Sequence, residues 1–478
     1  MENSINGLLL GAGSSYELGM PLVWDLTHEI KRWLTPEKFK LFNHNWRQQG
    51  TGYNDIVVND FIKCLENSSL QYESILGYLE TQFIRNGPYR NEYHYLYSWL
   101  IEIVYTILKE RHTRNVSYIQ KNIRFFEGFK SLIPNDRPLW VFSLNHDLMI
   151  ECLSSYFCIN LCSGFGREIV SLPKRDFRGI KIGELQCQVL TGDQLENSAM
   201  NFLKINEAGI NLLKIHGSLD IFTFRDGKDL LKFFPNDPSI SNWIECLRSV
   251  NEELIYINNM SKVKISNEIA YADNQGVMQF LRRTILSGAY KYDQRMSQTL
   301  PKKLLAHFRE NLNQVSNLIC VGYNFGDSHI DQIIKEWLVF RADRNLEIVD
   351  PGRTNIPPHF SHLSSQIKIR TLAFTDFLDE VGGIVRPRRE KLEKELANWL
   401  RKKQFDPNKK DAFEKFIKSS MDIRLKSMAQ DITTLTMKNG DIDIIATGLT
   451  QEELIQSVLD KNKMNIDDII EKFLKKNT

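Results

Sequence analysis

The sequence predicts an α/β protein built on a Rossmann-like parallel sheet, with a large helical insertion and a C-terminal helical region. Three observations support this fold class. The apolar run 8–10 leads directly into a turn with glycines at positions 11 and 13, and helical spacing follows over 22–34. The nearly continuous apolar run 138–145 is typical of a strand buried on both faces of a parallel sheet. The alternation of helix, apolar strand and polar turn returns after residue 304.

Composition and charge exclude several classes of protein. The 478 residues carry a formal net charge of +2, which gives no general attraction to nucleic acid or membranes. The N-terminus lacks the basic and apolar segments of a signal peptide, and the apolar stretch 95–108 is too short to cross a bilayer. The seven cysteines form no Cys-x-x-Cys pair. We therefore expect a cytoplasmic protein with no membrane contact, no direct nucleic-acid site and no metal.

The first turn is the strongest candidate for a nucleotide site. Glycine lacks a Cβ atom, so a ligand can approach this backbone closely, and the amides of residues 12–15 are predicted to hold a diphosphate. A dehydrogenase fingerprint would need a third glycine where Tyr16 stands. A glycine-rich turn without a ligand is the alternative. The predicted nucleotide-binding residues of this turn are Gly11, Ala12, Gly13, Ser14 and Ser15.

Two further polar groups follow predicted strands. Asn145 and Asp147 end the strand 138–145, after a helical insertion over 36–132 that is expected to cover one side of the site. His216 ends the strand 211–215. Ligands of open α/β sheets bind at the carboxyl ends of strands, so both positions are candidates for chemistry. Asp147 could equally be the N-cap of the helix 148–156, and a lone histidine is more often structural.

The middle of the chain has a less regular pattern. Segments 219–225 and 228–234 read as a hairpin joined by Asp226-Gly227. Residues 158–210 are mixed, with short extended pieces such as 186–190, and residues 236–300 read as weakly patterned and partly helical.

The α/β pattern returns with strands at 318–322, 346–349 and 367–372. Ser328 and Asp331 have the spacing of a capping box for the helix that ends near residue 340. Asp350 follows the strand 346–349, where it could accept hydrogen bonds from ribose hydroxyls or simply form an Asp-Pro-Gly turn.

From residue 386 onward the pattern is helical and charged, with a capping pair at Thr450 and Glu453 and basic runs balanced by nearby acids. We predict three regions. A catalytic domain comprises 1–35 and 133–385, the helical insertion comprises 36–132, and a C-terminal helical region for assembly or partner contacts comprises 386–478.

Four motifs in order resemble the sirtuin family. They are Gly-Ala-Gly-Ser-Ser (11–15) with a downstream Gly-Met-Pro, Leu-Asn-His-Asp (144–147), Ile-His-Gly-Ser (215–218) and Gly-Tyr-Asn-Phe-Gly-Asp (322–327). The resemblance covers roughly residues 6–30, 138–220 and 316–375. The chain is most similar to the sirtuin-like NADases of bacterial antiphage defence. The zinc module of the deacylases is absent, and Leu22-Val23-Trp24 stands where the deacylases carry Asp-Phe-Arg.

The resemblance implies an NAD glycohydrolase that releases nicotinamide and ADP-ribose and depletes NAD in defence. It implies Asn145, His216 and Asp147 as catalytic residues. It adds Gly322, Asn324 and Asp350 to the first turn as the residues that bind NAD, which is the substrate. The length and the helical tail are similar to the subunits that assemble with a HerA-type ATPase, and a homo-oligomer is expected.

The residue types suit this chemistry. Cleavage of the nicotinamide–ribose bond needs orientation, a held water and a mild base, which an asparagine and a histidine can supply. Two alternatives stay open: an NAD-dependent protein deacylase, and a non-catalytic assembly subunit that senses NAD.

Overall fold

The computed structural model describes residues 5–85, 87–176, 178–225, 227–254, 268–285, 287–288 and 303–403, with Glu471, Leu474 and Lys475. The strands are β1 Asn6–Leu10, β2 Pro138–Ser143, β3 Leu161–Cys162, β4 Ile169–Arg175, β5 Lys181–Leu190, β6 Gly209–Lys214, β7 Ile221–Phe224, β8 Asp229–Phe234, β9 Glu268–Ala272, β10 Met278–Arg283, β11 Asn317–Val321, β12 Asn345–Val349 and β13 Ile367–Arg370.

The α-helices are α1 Val23–Trp33, α2 Pro36–Gln48, α3 Asp55–Glu66, α4 Tyr72–Ile84, α5 Arg90–Arg114, α6 Val116–Asn122, α7 Met149–Tyr156, α8 Gly192–Glu196, α9 Ile240–Glu252, α10 Lys303–Leu312, α11 Ser328–Phe340, α12 Phe374–Gly382 and α13 Arg388–Lys403. Short 3-10 helices comprise Ala12–Leu18, Ile123–Leu132 and Pro358–Gln366.

The predicted parallel sheet is present and confirms the fold class. Among the described residues it has seven strands in the order β13-β12-β11-β1-β2-β6-β3, and every pairing is parallel. Strand β2 is buried at every position, as its continuous apolar sequence predicts. The chain winds from β1 toward β2 on one side and later from β11 toward β13 on the other. The strand order therefore reverses between β1 and β11, which is where open α/β sheets form a crevice.

A second sheet is present, of which the sequence predicted only the hairpin and the extended piece 186–190; its other strands lie in the segments read as mixed or partly helical. Its strands are antiparallel, in the order β4-β5-β8-β7-β10-β9. The interpretation of 236–300 as weakly patterned and partly helical is right for α9 but missed β9 and β10. The hairpin β7–β8 is confirmed with shorter strands, and Lys228 N donates to Arg225 O across its turn at 3.2 Å. Asp226 lies outside the described residues.

The segment between β1 and β2 is helical, as predicted. Thr35 caps α2 by accepting the Lys38 amide at 3.3 Å, and Pro36 occupies the first turn. The predicted capping box of α11 is wrong, because its N-cap is Asp327, not Ser328. The Asp331 carboxylate is directed instead to the Tyr323 hydroxyl, at 2.8 Å.

The chain divides into two compact units, Met1–Ile384 and Val385–Thr478. The first unit contains both sheets. In the second unit, Arg388 of α13 pairs with Glu471. The predicted cap at Thr450 and Glu453 lies outside the described residues. Of the helices that the structure describes, none has the length and apolar character of a membrane span.

Candidate functional site

The loops that follow β1, β2, β6, β11 and β12 all leave the same edge of the parallel sheet, which we call the carboxyl edge. Because β1 pairs with both β2 and β11, the loop after β1 lies between the other two. All eleven residues that the sequence predicted for the site lie in these five loops or directly at strand ends. Parallel pairing is what brings these distant segments to one edge.

The glycines of the first loop pack against the backbone of a second loop. A Cβ atom on Gly13 would lie 2.7 Å from Gly322 Cα, and one on Gly11 would lie 2.6 Å from Gly322 O. Both glycines therefore allow the loop after β1 to pack against the loop after β11. Close approach of a ligand to the Gly13 backbone stays a prediction, and the structure adds close approach of a second backbone.

Two amides of the first loop are engaged within the protein. Gly13 N donates to Gly322 O at 3.0 Å, and Ser14 N donates to Gly11 O at 2.9 Å. The prediction that all the amides of residues 12–15 hold a diphosphate is therefore wrong for these two. Ala12 and Gly13 are half-exposed, whereas Ser14 and Ser15 are buried.

Asn145 joins the loop after β2 to the first loop. Its Nδ2 donates to Gly11 O at 2.9 Å and lies 3.1 Å from Ser14 Oγ and 3.2 Å from Ser15 Oγ. Since a carbonyl oxygen can only accept, the amide nitrogen must face the first loop. No donor among the described residues lies within hydrogen-bond distance of Asn145 Oδ1. The carboxamide is thus held in one orientation with an acceptor oxygen available.

Asp147 is buried, and both of its carboxylate oxygens are engaged. Oδ2 accepts the Ser15 hydroxyl at 2.6 Å, and Oδ1 accepts the Met149 amide at 3.1 Å in the first turn of α7. The alternative that Asp147 is the N-cap of α7 is wrong, because the N-cap is Leu148; Asp147 bonds the Met149 amide from one position earlier and also bonds the first loop. Lys214 Nζ, from the end of β6, donates to the Asp147 carbonyl. Asp147 therefore links the first loop, α7 and β6.

The helical insertion contacts this edge of the sheet. His112 of α5 accepts the Leu148 amide on Nε2 at 3.1 Å and donates from Nδ1 to Leu108 O at 2.9 Å. Burial lowers the pKa of His112, which keeps the ring neutral as this pattern requires. Asn115 Nδ2 also donates to Gly19 O at 3.3 Å. The insertion therefore contacts the loops after β1 and β2, and its covering of one side of the site stays a prediction.

A buried group of charges lies beneath the site. Lys232 Nζ lies 3.0 Å from Glu151 Oε1 and 2.5 Å from Asp220 Oδ2, and Lys214 Nζ lies 3.6 Å from Glu151 Oε2. Burial raises the pKa of Glu151, but Lys214 and Lys232 outweigh it, so its pKa lies below the ordinary value. Two cations and two anions thus compensate one another under the loop that carries Asn145 and Asp147.

His216 follows β6 and is 5% exposed. Its loop is fixed to the loop after β2, because Leu219 N donates to His146 O at 2.9 Å and Ser218 Oγ donates to the same carbonyl at 3.3 Å. Gly217 has φ +80°, which favours glycine. The loops that carry Asn145 and His216 are therefore directly bonded to each other.

Asp327 is a site residue that the sequence reasoning missed. Its Oδ2 lies 3.3 Å from His216 Nε2, and both side chains are largely buried. The motif 322–327 was noted for its Gly322 and Asn324, but nothing in a linear sequence indicates that its last residue meets a histidine more than a hundred positions away. Asn324 is exposed, and its Oδ1 accepts the Gly326 amide at 3.1 Å.

Asp350 forms the Asp-Pro-Gly turn that the sequence offered as the alternative to ribose binding. Its Oδ1 accepts the Gly352 amide at 2.8 Å, and its Oδ2 lies 3.7 Å from Arg353 Nε. The half-buried carboxylate borders the carboxyl edge on the β12 side. Binding of ribose hydroxyls by Asp350 stays a prediction.

No known family profile and no curated protein matches this sequence. Solved sirtuin structures are similar to it at low identity. A Sir2 structure with a p53 peptide and NAD+ is 12% identical, with 80% of this chain and 95% of that chain covered and a TM-score of 0.30. A structure on sirtuin substrate affinity is 13% identical, with 79% and 93% covered and a TM-score of 0.31. Sir2Tm bound to a propionylated peptide is 12% identical, with 80% and 95% covered and a TM-score of 0.28.

The fold assignment rests on the strand order and parallel pairing of this chain itself. The arrangement at the carboxyl edge combines an oriented carboxamide, a buried histidine beside a carboxylate, and a first loop held between them. In the described part of the chain, no three His, Cys, Asp or Glu side chains are grouped in a way that could hold a metal ion. The groups at the edge are suited to orienting a polar substrate and accepting a proton.

Proposed function

We propose that the protein is an NAD glycohydrolase that cleaves NAD to nicotinamide and ADP-ribose at the carboxyl edge. One observation carries the proposal: Asn145 is bonded to the first loop, and its own loop is bonded through His146 to the loop of His216. A carboxamide and a candidate base therefore belong to one rigid set of loops at the reversal of strand order, where nucleotides bind in open α/β sheets.

The reaction makes modest demands on the protein. Water adds to C1 of the ribose as its bond to the nicotinamide nitrogen breaks, and the bonding electron pair leaves with nicotinamide, which becomes neutral. One proton of the water passes to a base, so NAD+ and water give nicotinamide, ADP-ribose and H+. The oxocarbenium-like transition state is stabilised mainly by orientation and by nearby oxygen atoms.

We assign three roles. Asn145 Oδ1 accepts a hydrogen bond from the attacking water or from a ribose hydroxyl. His216 is the general base that takes the proton. Asp147 orients the nicotinamide end of NAD, and its bonds to Ser15 and to the start of α7 fix its place between the two loops. The first loop, Gly322, Asn324 and Asp350 are proposed to contact NAD itself.

The test is incubation of the full-length protein with NAD, followed by chromatographic separation of the products. We expect nicotinamide and ADP-ribose in equal amounts. His216→Ala should lower kcat by on the order of 10²–10⁴. Asn145→Ala should lower the rate as well, because the carboxamide that orients the water is lost. His362→Ala, which removes an exposed histidine from the 3-10 helix Pro358–Gln366, serves as the matched control and should retain the parent rate.

Each alternative gives a different result. Production of acyl-ADP-ribose only when an acetyl-lysine peptide is added would identify a deacylase. Binding of NAD by calorimetry without any product would identify an NAD-sensing subunit. If both variants keep the parent rate while circular dichroism shows them folded, the assignment of Asn145 and His216 is wrong.

We further propose that the active form is a homo-oligomer that depletes NAD in antiphage defence, with a HerA-type ATPase as partner. The motif resemblance supports the role, and the chain length and helical tail support the partner. Exposed apolar side chains near the insertion support assembly: Trp24 is 43% exposed, Trp33 45% and Leu41 57%. Light scattering of the full chain, and of the chain cut after Gly383, would measure the mass and the contribution of the C-terminal region.

A further inference from the structure

The two carboxylate oxygens of Asp327 face different partners. Oδ1 accepts the His329 amide at 3.0 Å and thereby caps α11. Oδ2 lies 3.3 Å from His216 Nε2. Asparagine or serine would cap a helix about as well as aspartate does, so the cap alone does not require a carboxylate. The contact of Oδ2 with His216 is therefore a separate reason for a carboxylate at this position.

Burial makes this pair effective. The side chain of Asp327 is 10% exposed and that of His216 is 6% exposed. A charge held so close to an imidazole, with little water between them, is weakly screened. The pairing therefore affects both the orientation of the ring and the free energy of its protonated form.

The loop that carries Asp327 is anchored at several points. The Tyr323 hydroxyl accepts the Asp327 amide at 3.1 Å and donates to Asp331 Oδ1 at 2.8 Å. Burial, and then the adjacent Asp331, raise the pKa of Tyr323, so its hydroxyl stays protonated and able to donate. Phe325 has φ +59°, an uncommon conformation for this residue, and its buried ring packs 5.6 Å from the ring of Phe360. Asp327 is thus set in place by its own loop.

We propose that Asp327 is a positioning residue for the reaction, which orients His216 and stabilises its protonated form. The proposal rests on the proposed function. The ion pair with Asp327 holds the imidazole ring in one orientation, and the imidazolium that forms when His216 takes the proton lies beside a carboxylate. Two other histidines are near this loop: His329 Nδ1 lies 3.5 Å from Asp327 Oδ1, and His359 Nε2 lies 3.2 Å from Asp331 Oδ2.

The experiment compares Asp327→Asn with the parent in the full chain. The variant keeps an acceptor for the cap of α11 and removes the charge beside His216. We expect the His216 titration to move to lower pH, because a nearby carboxylate favours the charged ring. It would be measured by NMR titration of histidine-labelled protein, with the His216 signal assigned by its loss in His216→Gln. We expect kcat for NAD to fall on the order of tenfold, with KM little changed.

Two further variants make the result interpretable. His329→Gln removes the other histidine that pairs with Asp327 and should leave both the His216 titration and kcat unchanged. Asp327→Ser keeps a capping hydroxyl but cannot reach His216. It should behave like Asp327→Asn, and it replaces that variant if that variant does not fold. Asp327→Glu should restore part of kcat.

The outcomes separate this proposal from the proposed function. If the parent does not consume NAD but the His216 titration shifts in Asp327→Asn, the pairing stands and the proposed function fails. If the parent hydrolyses NAD and His216→Ala is inactive, but Asp327→Asn keeps both the parent titration and the parent kcat, then Asp327 only caps α11 and the proposal is overturned.

Discussion

Replacement of Gly322 by alanine should disrupt the contact on which the candidate site depends. Gly322 has φ +60°, and its Cα faces the backbone of the first loop. A Cβ atom there would lie 2.5 Å from Gly13 C and 2.5 Å from Ser14 N. Gly383 is a matched control, because it has φ +63° and a Cβ atom there would meet nothing within 4 Å.

Comparison with Gly383→Ala separates two contributions to the loss of unfolding free energy, one from backbone conformation and one from overpacking. At Gly383 alanine loses only the conformational preference, about 1 kcal/mol of unfolding free energy. At Gly322 the same conformational loss occurs, and overpacking lowers the unfolding free energy further. Ordinary contact begins at 3.4 Å, so the two backbones must separate by about 1 Å. Overpacking of this kind costs typically ~1–3 kcal/mol. We therefore expect Gly322→Ala to be destabilised by about 2–4 kcal/mol.

Thermal denaturation of the full chain measures the difference, with Gly322→Ala expected to unfold a few degrees below Gly383→Ala. NAD consumption gives a second readout. Gly322→Ala should lose activity, since the first loop holds Asn145 through Gly11 O, whereas Gly383→Ala should keep the parent rate. Equal melting temperatures and equal rates for the two variants would refute the packing of Gly322 against the first loop.

Two further predictions concern buried charge and pH. Lys232→Met should cost about 3–5 kcal/mol, because it leaves the buried carboxylates of Glu151 and Asp220 without their shared cation. Arg248→Met, at a largely exposed network, should cost no more than about 1 kcal/mol, and similar losses in denaturant titrations would contradict the role of burial. Burial lowers the pKa of His112, so its contribution to stability is complete above the unfolded value and is lost as pH falls below about 6.5. His112→Gln should flatten the dependence of melting temperature on pH below about 6.5, and an unchanged slope would show that another group titrates there.

The parallel sheet and its loops could be predicted because the signals are local. A short, mainly apolar segment followed closely by glycine or a polar group describes β1, β2, β6, β11 and β12 without reference to the rest of the chain. The antiparallel sheet could not be predicted in the same way. In β4 and β5 exposed and buried residues do not alternate strictly, and these strands become stable only through their partners.

The residues of the candidate site also fall into two groups, those that a local sequence pattern predicts and those that depend on distant partners. Asn145, Asp147 and His216 were identified because each follows an apolar strand, and a strand end is a local property of the sequence. Asp327 was missed because its partner comes from a distant strand. Lys214 was read as a strand residue, although its ammonium group holds the Asp147 carbonyl.

What the sequence by itself determined is the class of fold and the chain positions from which chemistry can come, since hydrophobic spacing and polar strand ends depend only on neighbours along the chain. What only the tertiary structure decided is what each group touches. Gly13 is required by the backbone of Gly322, Asp147 holds Ser15, and His216 meets Asp327. These contacts join segments more than a hundred residues apart, and their geometry is set by strand pairing and close packing, which no local pattern encodes.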